Sequence, residues 1–424
     1  MGRCFVFLQG PHGPFFGALA RVLARAGHAT LRVGFNAGDR LFWPASLPYH
    51  GYLGDLGDWP GTVVQILADV QATDLVLYGD TRSQHSTALA RAAAAGLRLH
   101  VFEEGYLRPH WITYERGGAN GYSRLMALSD GEILAAADSA VLPPNPPAHW
   151  GAMRQHIVNG ALYHFAGLVG GRAARLPPHR TLGVPGELLL YLRVLAALAP
   201  HRLDRALATR AIRRGAFPYH LVLLQLAHDA SFRQHGPFAD MPTFLAEVIS
   251  DFAAHAPVHH HLVFKAHPLE DGRVPLRRTI RRLAAAHGVA PRVHFVRGGK
   301  LAQLLDRAAT AITVNSTAAH QALWRGLPLK AYGTAIYARP GLVSGQSLGD
   351  FLRAPDRPDM ALYHAFRAYL LATSQVPGSF YSAAGRREVL RRIVDMMLAD
   401  ADPYAALQRG KTAPRPPVVA APWS

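Results

Sequence analysis

Residues 97–109 read Leu-Arg-Leu-His-Val-Phe-Glu-Glu-Gly-Tyr-Leu-Arg-Pro, and the fold prediction starts from them. The mostly apolar run over residues 97–102 is typical of a buried strand, and it ends at two carboxylates and a glycine. A helical pattern precedes it over about residues 86–95. A strand that follows a helix in this way indicates a βαβ unit and a parallel sheet.

The same alternation extends in both directions along the chain. Further strands are predicted at residues 5–8, 30–35, 75–78, 221–226, 261–265, 293–296 and 311–314. Further helices are predicted at residues 15–26, 241–255, 276–287, 301–308, 318–325 and 386–398. This pattern predicts an α/β protein with two doubly wound, Rossmann-like domains that face a central cleft.

The predicted domain boundaries follow changes in composition. We expect an N-terminal Rossmann-like domain over residues 1–140 and a basic, helical linker over 141–215. The linker begins at the Pro-rich stretch 143–147. We expect a C-terminal Rossmann-like domain over residues 216–384, a helix that packs back on the N-terminal domain over 385–411, and a disordered tail over 412–424.

The charge of the chain is high and unevenly distributed. The 424 residues include 45 Lys and Arg against 28 Asp and Glu, which gives a formal charge of +17. Residues 151–215 contain ten arginines and only two carboxylates. This excess predicts an anionic partner: a nucleotide, an acidic sugar, nucleic acid or a membrane surface. The single cysteine, Cys4, excludes an intramolecular disulfide framework.

No segment reads as a targeting signal or a membrane span. The apolar run at residues 4–8 is too short for the core of a signal peptide. Residues 184–199 are interrupted by proline and charge, and they fall short of the roughly 20 apolar residues that a span needs. We therefore expect a cytoplasmic protein that touches a membrane from the inside.

The carboxylates at the end of the 97–102 strand are the first candidates for chemistry. Glu103 and Glu104 could supply a base, a nucleophile or an acid, and two carboxylates at one site raise each other's proton affinity. Arg108 could hold an anion through two parallel hydrogen bonds. A solvated acidic turn with an ordinary salt bridge remains an alternative for this stretch.

Two further clusters follow strands in the second half. Lys265, His267 and Pro268 come after the strand at 261–265, where a cation and an imidazole suit a phosphate. Asn315, Ser316 and Thr317 precede a predicted helix, so they could cap it, contact a phosphate, or do both.

Other polar positions at strand ends are weaker candidates. They are Gly10, His12, Asp80, Arg82, Asp229 and His235. No dinucleotide fingerprint, P-loop, H-E-x-x-H or G-x-S-x-G motif occurs. We therefore expect no metal and no cofactor.

Several stretches in order resemble one known family. They are residues 7–16 (Phe-Leu-Gln-Gly-Pro-His-Gly-Pro-Phe-Phe), 78–82 (Tyr-Gly-Asp-Thr-Arg), 102–109, 265–268 (Lys-Ala-His-Pro), 314–317 (Val-Asn-Ser-Thr), 333–337 and 378–381 (Gly-Ser-Phe-Tyr). Together they resemble the capsular polysaccharide biosynthesis/export family of the KpsS/LipB type, over about residues 5–395.

The resemblance implies a GT-B-like, membrane-associated glycosyltransferase on the cytoplasmic face of the inner membrane. Its donor would be CMP-Kdo, its acceptor a (lyso)phosphatidylglycerol-type lipid, and its product the start of a poly-Kdo linker with the β configuration retained. Capsule biosynthesis and export proteins would be its partners. Residues 1–140 would be the acceptor-side domain, 141–215 a membrane-facing segment and 216–384 the nucleotide-sugar domain. Nucleic acid is not expected as a partner, because the basic segment lacks interleaved aromatic platforms and no nucleic-acid-binding motif occurs.

The motifs are also similar to those of GT-B bacterial sialyltransferases, which bind CMP-activated acidic sugars. By that likeness Glu104 and Glu103 are catalytic, with Glu104 preferred as the group that attacks or stabilises the anomeric centre. His267 and Pro268 fall on the CMP-binding motif, and Ser316 and Thr317 on the phosphate-contacting pair. Two alternatives stay open: a non-catalytic scaffold of the capsule export complex, and a GT-B-like nucleotide-sugar epimerase or hydrolase.

Overall fold

The computed structural model describes residues 2–137, 143, 145–147, 153–171, 198–226, 230–268, 270 and 272–408. The chain divides into two compact units. The first unit comprises Met1–Pro178 and Ala365–Ser424, and the second comprises His179–His364.

The strands, numbered in chain order, form one sheet in each unit. They are β1 (Cys4–Phe7), β2 (Ala29–Gly34), β3 (Tyr49–Gly51), β4 (Asp74–Tyr78), β5 (Arg98–Glu104), β6 (Trp111–Arg116), β7 (Tyr219–Leu223), β8 (His261–Lys265), β9 (Val293–Val296), β10 (Thr310–Thr313), β11 (Leu329–Ala331) and β12 (Gln375–Pro377).

The α-helices of the first unit are α1 (Phe15–Arg25), α2 (Ala37–Leu41), α3 (Trp59–Asp69), α4 (Ser83–Ala94), α5 (Asp130–Ala137), α6 (Met153–Val169), α15 (Ala383–Leu398) and α16 (Pro403–Gln408). Those of the second unit are α7 (Leu198–Arg214), α8 (Ala230–His235), α9 (Met241–His255), α10 (Leu276–Ala286), α11 (Ala302–Leu305), α12 (Ala319–Leu323) and α13 (Leu348–Arg353). One more helix, α14 (Met360–Thr373), begins in the second unit and continues into the first.

The sheet of the first unit has the strand order β12-β6-β5-β4-β1-β2-β3. The strands from β5 through β4, β1 and β2 to β3 are parallel, and β6 is antiparallel to β5. Successive residues of β1 alternate between two cores: Phe5 and Phe7 pack on the α1 side, and Val6 on the α3 side. Both faces are therefore covered, which is the doubly wound arrangement.

The sheet of the second unit is entirely parallel, in the order β11-β10-β7-β8-β9. Residues 221–223 of β7 and 262–264 of β8 are consecutive, apolar and buried, as in strands covered on both faces. Leu262 and Phe264 of β8 pack with Phe252 of α9 and Ile280 of α10 in one core. The predicted α/β class with two doubly wound, Rossmann-like sheets is confirmed. The first sheet also contains the antiparallel pairs β5–β6 and β6–β12.

The end of the chain completes the first unit. β12 pairs antiparallel with β6, and Val389 and Ile393 of α15 lie in the same core as Phe15 of α1. Residues 365–384, which the sequence-based division gave to the C-terminal domain, thus belong to the first unit. Within 141–215, α6 lies in the first unit and α7 in the second. Most of the Pro-rich linker and the tail at 412–424 lie outside the described residues.

Three of the predicted elements have the bounds that the structure shows. The predictions for 261–265, 293–296 and 241–255 have the observed bounds of β8, β9 and α9. Strands β3, β6, β11 and β12 and helices α2, α3, α5, α8, α13, α14 and α16 were not predicted. Three of those four strands have only three residues, which is too short for a periodic signal.

Candidate functional site

The two adjacent glutamates lie at the carboxyl end of β5, beside the end of β4. Glu104 faces the same side of the sheet as Phe102, and Glu103 the opposite side, because side chains alternate along a strand. A Cβ added to Gly79 would lie 3.4 Å from Oε2 of Glu103, so the Glu103 carboxylate lies close to Gly79 at the end of β4. The expectation that both carboxylates point into one site is therefore replaced by two carboxylates on opposite faces of one strand end.

Glu104 is held by two tyrosines. Its Oε1 accepts hydrogen bonds from the hydroxyls of Tyr78, at 3.1 Å, and Tyr381, at 2.8 Å. Burial, followed by the charge of Glu104, raises the pKa of both tyrosines well above the usual value. Both hydroxyls therefore keep their protons at neutral pH and stay donors. In addition, Oε1 of Glu103 accepts the backbone N–H of Glu104 at 3.1 Å, so one glutamate orients the other.

Helix α6 supplies a histidine to the Glu104 side. The ring of His156 lies 4.1 Å from that of Tyr381, centroid to centroid. Burial lowers the pKa of His156, with a raising contribution from Glu104 and a lowering one from Arg108. Arg108 donates from Nε to the carbonyl of Gly105 at 3.1 Å. The surroundings of the Glu104 carboxylate therefore include a tyrosine hydroxyl, an imidazole and a guanidinium group, from Tyr381, His156 and Arg108.

A second polar cluster of the first unit centres on Asp39, which follows β2. Its Oδ1 accepts from Arg32 at 2.7 Å and from the hydroxyl of Tyr163 at 3.2 Å. Gln9, at the end of β1, donates to Asp39 at 3.2 Å and to the Tyr163 hydroxyl at 3.0 Å. Arg82 donates to Oε1 of Gln9 at 3.1 Å, which brings this predicted residue into the cluster.

The other candidates of the first unit, Gly10, His12 and Asp80, make contacts that stabilise the local fold. A Cβ at Gly10 would lie 2.6 Å from the ring of Phe16, so this position is packed too closely for a side chain. His12 stacks on Tyr163 with ring centroids 4.3 Å apart. Asp80 is buried, and its Oδ2 accepts the backbone N–H of Ala119 at 2.7 Å. These contacts fix the loops at this edge of the sheet.

In the second unit, Lys265 ends β8 and is almost fully buried. Its Nζ donates to the carbonyl of Ala266 at 3.2 Å. Burial and the nearby charge of Arg205 lower the pKa of Lys265 to about 8, so the side chain is still mostly cationic at neutral pH. His267 is half-buried and Pro268 is exposed.

Asn315, Ser316 and Thr317 follow β10 at the same edge of the second sheet. Asn315 and Gln225 are joined by two hydrogen bonds. The side-chain amide of Gln225 donates to Oδ1 of Asn315 at 2.7 Å, and the backbone N–H of Asn315 donates to Oε1 of Gln225 at 3.2 Å. Ser316 accepts from the N–H of Ala318 through Oγ at 3.2 Å. The hydroxyl of Tyr337 donates to the Ser316 carbonyl at 2.8 Å.

The turn after β10 is therefore held from three directions. The following helix is α12, which is shorter at both ends than predicted. The backbone carbonyl of Thr317 accepts the N–H of His320 at 3.2 Å, and the Thr317 side chain is half-buried.

The last two candidates are His235 and Asp229. The backbone carbonyl of His235, at the end of α8, accepts the N–H of Thr334 at 2.7 Å. A Cβ at Gly333 would lie 2.5 Å from that carbonyl oxygen, so the glycine permits this contact. Asp229 lies outside the described residues.

No group of His, Cys, Asp or Glu among the described residues is arranged to hold a metal ion. Nor does any helix in the described part of the chain have the length and hydropathy that crossing a bilayer requires.

Sequence reasoning missed five residues that surround the candidates: Tyr78, Tyr381, His156, Tyr163 and Gln225. Tyr78 and Tyr381 stood in the quoted stretches 78–82 and 378–381, where they had no role assigned. His156 and Tyr163 lay in a segment that was interpreted only for its charge. Gln225 fell in a predicted strand, whereas β7 ends at Leu223, so a correct strand end would have singled it out.

Residues 73–381 match the model of the family described as capsule polysaccharide biosynthesis protein. The chain belongs to this family.

Two relatives cover most of the sequence. The capsule polysaccharide export protein KpsS of Escherichia coli is 32% identical over 386 residues, which is 90% of this chain and 97% of that protein. The capsule polysaccharide modification protein LipB of Neisseria meningitidis serogroup B is 31% identical over 384 residues, or 89% and 91%.

Among solved structures, the chain is similar to the beta Kdo 2,7 transferase of Thermosulfurimonas dismutans KpsC. The identity is 11%, the TM-score is 0.40, and 86% of this chain and 90% of that one are covered. It is also similar to S. aureus MnaA in a co-structure with UDP, with 10% identity, a TM-score of 0.33 and coverage of 94% and 96%. The family assignment rests on the sequence matches.

Proposed function

We propose that this protein is a glycosyltransferase of capsule polysaccharide biosynthesis, a GT-B-like, retaining β-Kdo transferase. It moves Kdo from CMP-Kdo to a (lyso)phosphatidylglycerol-type lipid and so starts a poly-Kdo linker. The observation that carries the proposal is the Glu104 carboxylate, which two tyrosine hydroxyls hold at a strand end of the first unit. Membership of a capsule polysaccharide biosynthesis family supports the substrate class.

Retention of configuration requires two successive displacements, or one shielded cationic intermediate. Glu104 attacks or stabilises the anomeric carbon of Kdo while the bond between that carbon and the phosphate oxygen breaks and CMP leaves. The lipid oxygen then bonds to the same carbon in place of the carboxylate, and the freed carboxylate takes up the hydroxyl proton. Glu103 points to the opposite face of β5, so its part in the proposal is to orient Glu104, whose backbone N–H donates to its Oε1 at 3.1 Å. The protonated hydroxyls of Tyr78 and Tyr381 fix the attacking carboxylate in one rotamer.

The second unit provides the donor site in this proposal. CMP is a good leaving group, so catalysis mainly needs positive charge and hydrogen-bond donors at its phosphate. Lys265 supplies the cation, His267 an imidazole, and the hydroxyls of Ser316 and Thr317 the remaining donors. Arg108 of the first unit binds the Kdo carboxylate. No metal or cofactor takes part in the proposed chemistry.

A lipid acceptor requires contact with a membrane, and α6 supports that contact. Six large apolar side chains on its outward side are each 46–64% exposed: Ile157, Val158, Leu162, Phe165, Leu168 and Val169. The helix carries no Asp or Glu, and Arg154 is exposed on the same side. An apolar helix face flanked by positive charge suits an anionic bilayer surface.

The opposite side of α6 contacts the site through His156 and Tyr163. One helix thus links the proposed bilayer surface to the proposed catalytic residue. We propose a peripheral location on the cytoplasmic face of the inner membrane, among other proteins of capsule biosynthesis and export.

The test is Glu104→Ala, assayed with CMP-Kdo and lysophosphatidylglycerol for Kdo-lipid product. We expect product formation to fall by about 1,000-fold or more, with CMP affinity retained in calorimetry. Asp69→Ala, which removes an exposed carboxylate at the end of α3, is the matched control.

Product formation by Glu104→Ala at the control rate would overturn the catalytic assignment. Absence of CMP binding by the wild-type protein would instead favour the non-catalytic scaffold. Consumption of the donor without any lipid acceptor would favour the hydrolase or epimerase.

A further inference from the structure

The second unit contains an open groove of about 840 Å³ between α7 and the residues around α11. Six cationic side chains line it: Arg205, Arg210, Arg213, Arg214, Lys300 and Arg307. No Asp or Glu is among the described residues that line the groove. So many like charges repel one another in a concave site unless a bound anion offsets them.

The only carboxylate of α7 does not face this groove. Asp204 lies 3.0 Å from Nη1 of Arg277 and 3.9 Å from Nε of Arg297, and so pairs with arginines that do not line it. The helix thus separates its charges: its carboxylate neutralises arginines elsewhere, and four of its arginines share the groove.

The groove begins beside the proposed donor site and runs away from it. Pro268, after β8, and Gly299, after β9, line one end, where Arg205 also lowers the pKa of Lys265. A Cβ at Gly299 would lie 2.6 Å from Cδ of Arg205, so this glycine allows α7 to approach the loop.

At the other end, Arg307 donates from Nη1 to the carbonyl of Arg213 at 3.0 Å. Arg205 and Arg214 are nine residues apart on one helix, which corresponds to about 14 Å along its axis. One phosphate or one carboxylate cannot span that distance, so the groove fits an extended ligand with several anionic groups.

The lining also limits the class of polyanion. None of the described lining residues is aromatic, so the stacking platforms that single-stranded nucleic acid uses are missing there. Large apolar side chains are equally absent from that described lining, so it has no path for an acyl chain. Arginine forks match planar carboxylates with two parallel hydrogen bonds.

We propose that this groove binds an acidic glycan, a chain of carboxylated sugars that lies along α7 with one end near the donor residues. The choice of a glycan rests on the proposed function, whereas the polyanion character rests on the groove alone. For four of the ten arginines in the basic segment 151–215, the partner is then a water-soluble polyanion in a groove and not a bilayer surface.

The test measures binding without any donor or turnover. The probe is an oligomer of eight α2,8-linked sialic acids, compared with sialic acid monomer and with a neutral dextran oligomer of equal length. Arg210→Glu with Arg214→Glu reverses two exposed groove cations, and Arg281→Glu with Arg282→Glu on the exposed side of α10 is the charge-matched control.

We expect the oligomer to bind in low salt, the monomer and the dextran to bind far more weakly, and the groove variant to lose about tenfold or more in affinity. Equal affinity of the two double variants would overturn the site. Tighter binding of polyphosphate or single-stranded DNA than of the glycan at equal charge would overturn the glycan. If the protein binds the oligomer but transfers no Kdo, the proposed binding groove stands and only the proposed transferase activity is refuted.

Discussion

Tyr381 donates a hydrogen bond to Glu104 at 2.8 Å, although 277 residues separate the two in the sequence. The contact exists because the end of the chain returns to the first sheet, where β12 pairs with β6 and β6 with β5. The last part of the matched family region therefore orients the carboxylate that the proposed mechanism uses.

Removal of the Tyr381 hydroxyl tests this orientation. A hydrogen bond to a charged group contributes about 1.5–3 kcal/mol, so we expect Tyr381→Phe to lower kcat by roughly 10- to 100-fold. KM for the donor should change little, because the phosphate contacts remain. Tyr122→Phe, at an exposed tyrosine, serves as the control in the same steady-state assay. Normal kcat in Tyr381→Phe and in Tyr78→Phe would argue against a role for the tyrosine pair.

The binding of CMP should depend on pH through Lys265. Its pKa of about 8 in the folded protein means that the cation is present at pH 7 and lost as the pH rises through 8. We expect the affinity for CMP to fall by about tenfold between pH 7 and 9.5, and to be nearly constant in Lys265→Met. Calorimetry over this range measures it. Lys330→Met should keep the wild-type profile, and a profile that Lys265→Met leaves unchanged would exclude Lys265.

The stability of the first unit should respond to Glu115, a buried carboxyl on β6, the strand that pairs with β5. Burial raises its pKa to about 7 despite hydrogen bonds from Ser123, Tyr106 and Tyr404. The folded chain therefore holds a proton that the unfolded chain releases above pH 4.5, so the free energy of unfolding falls as the pH rises from 4.5 to 7. A shift of this size corresponds to roughly 3 kcal/mol.

Glu115→Gln should flatten this dependence, which thermal melts at pH 5, 6 and 7 can measure. Glu132→Gln, at an exposed carboxylate, should retain the wild-type slope. If Glu115→Gln and wild type lose the same Tm over this range, another group is responsible.

The outward side of α6 should determine membrane binding. We expect Leu162→Glu with Phe165→Glu to weaken binding to phosphatidylglycerol-containing vesicles by about tenfold or more in a sedimentation assay, because it removes apolar area and adds negative charge. Val64→Glu with Val258→Glu makes the same charge change at exposed valines elsewhere. Equal loss in both double variants would mean that net charge, and not α6, governs binding.

The sequence alone determined the class of fold and the edges where polar residues gather. Buried parallel strands are apolar runs, and a run that ends in Glu-Glu-Gly or Lys-Ala-His-Pro places those side chains at a carboxyl end, where doubly wound sheets bind ligands. These are local signals, so Glu104, Lys265 and Asn315 could be singled out without coordinates. The alternation of side chains along a strand would also have placed Glu103 and Glu104 on opposite faces of the sheet. That inference required the structure, which shows that β5 includes both residues.

The tertiary structure decided what surrounds those residues. The hydroxyl of Tyr381 reaches Glu104, that of Tyr163 reaches Asp39, and the amide of Gln225 reaches Asn315, in each case over 90 residues or more of sequence. Such partners leave no periodic pattern, because they depend on which strands pair and on which side of a helix faces inward. The basic segment illustrates the same limit: composition gave its charge, but only the fold separated the apolar surface of α6 from the arginine groove beside α7.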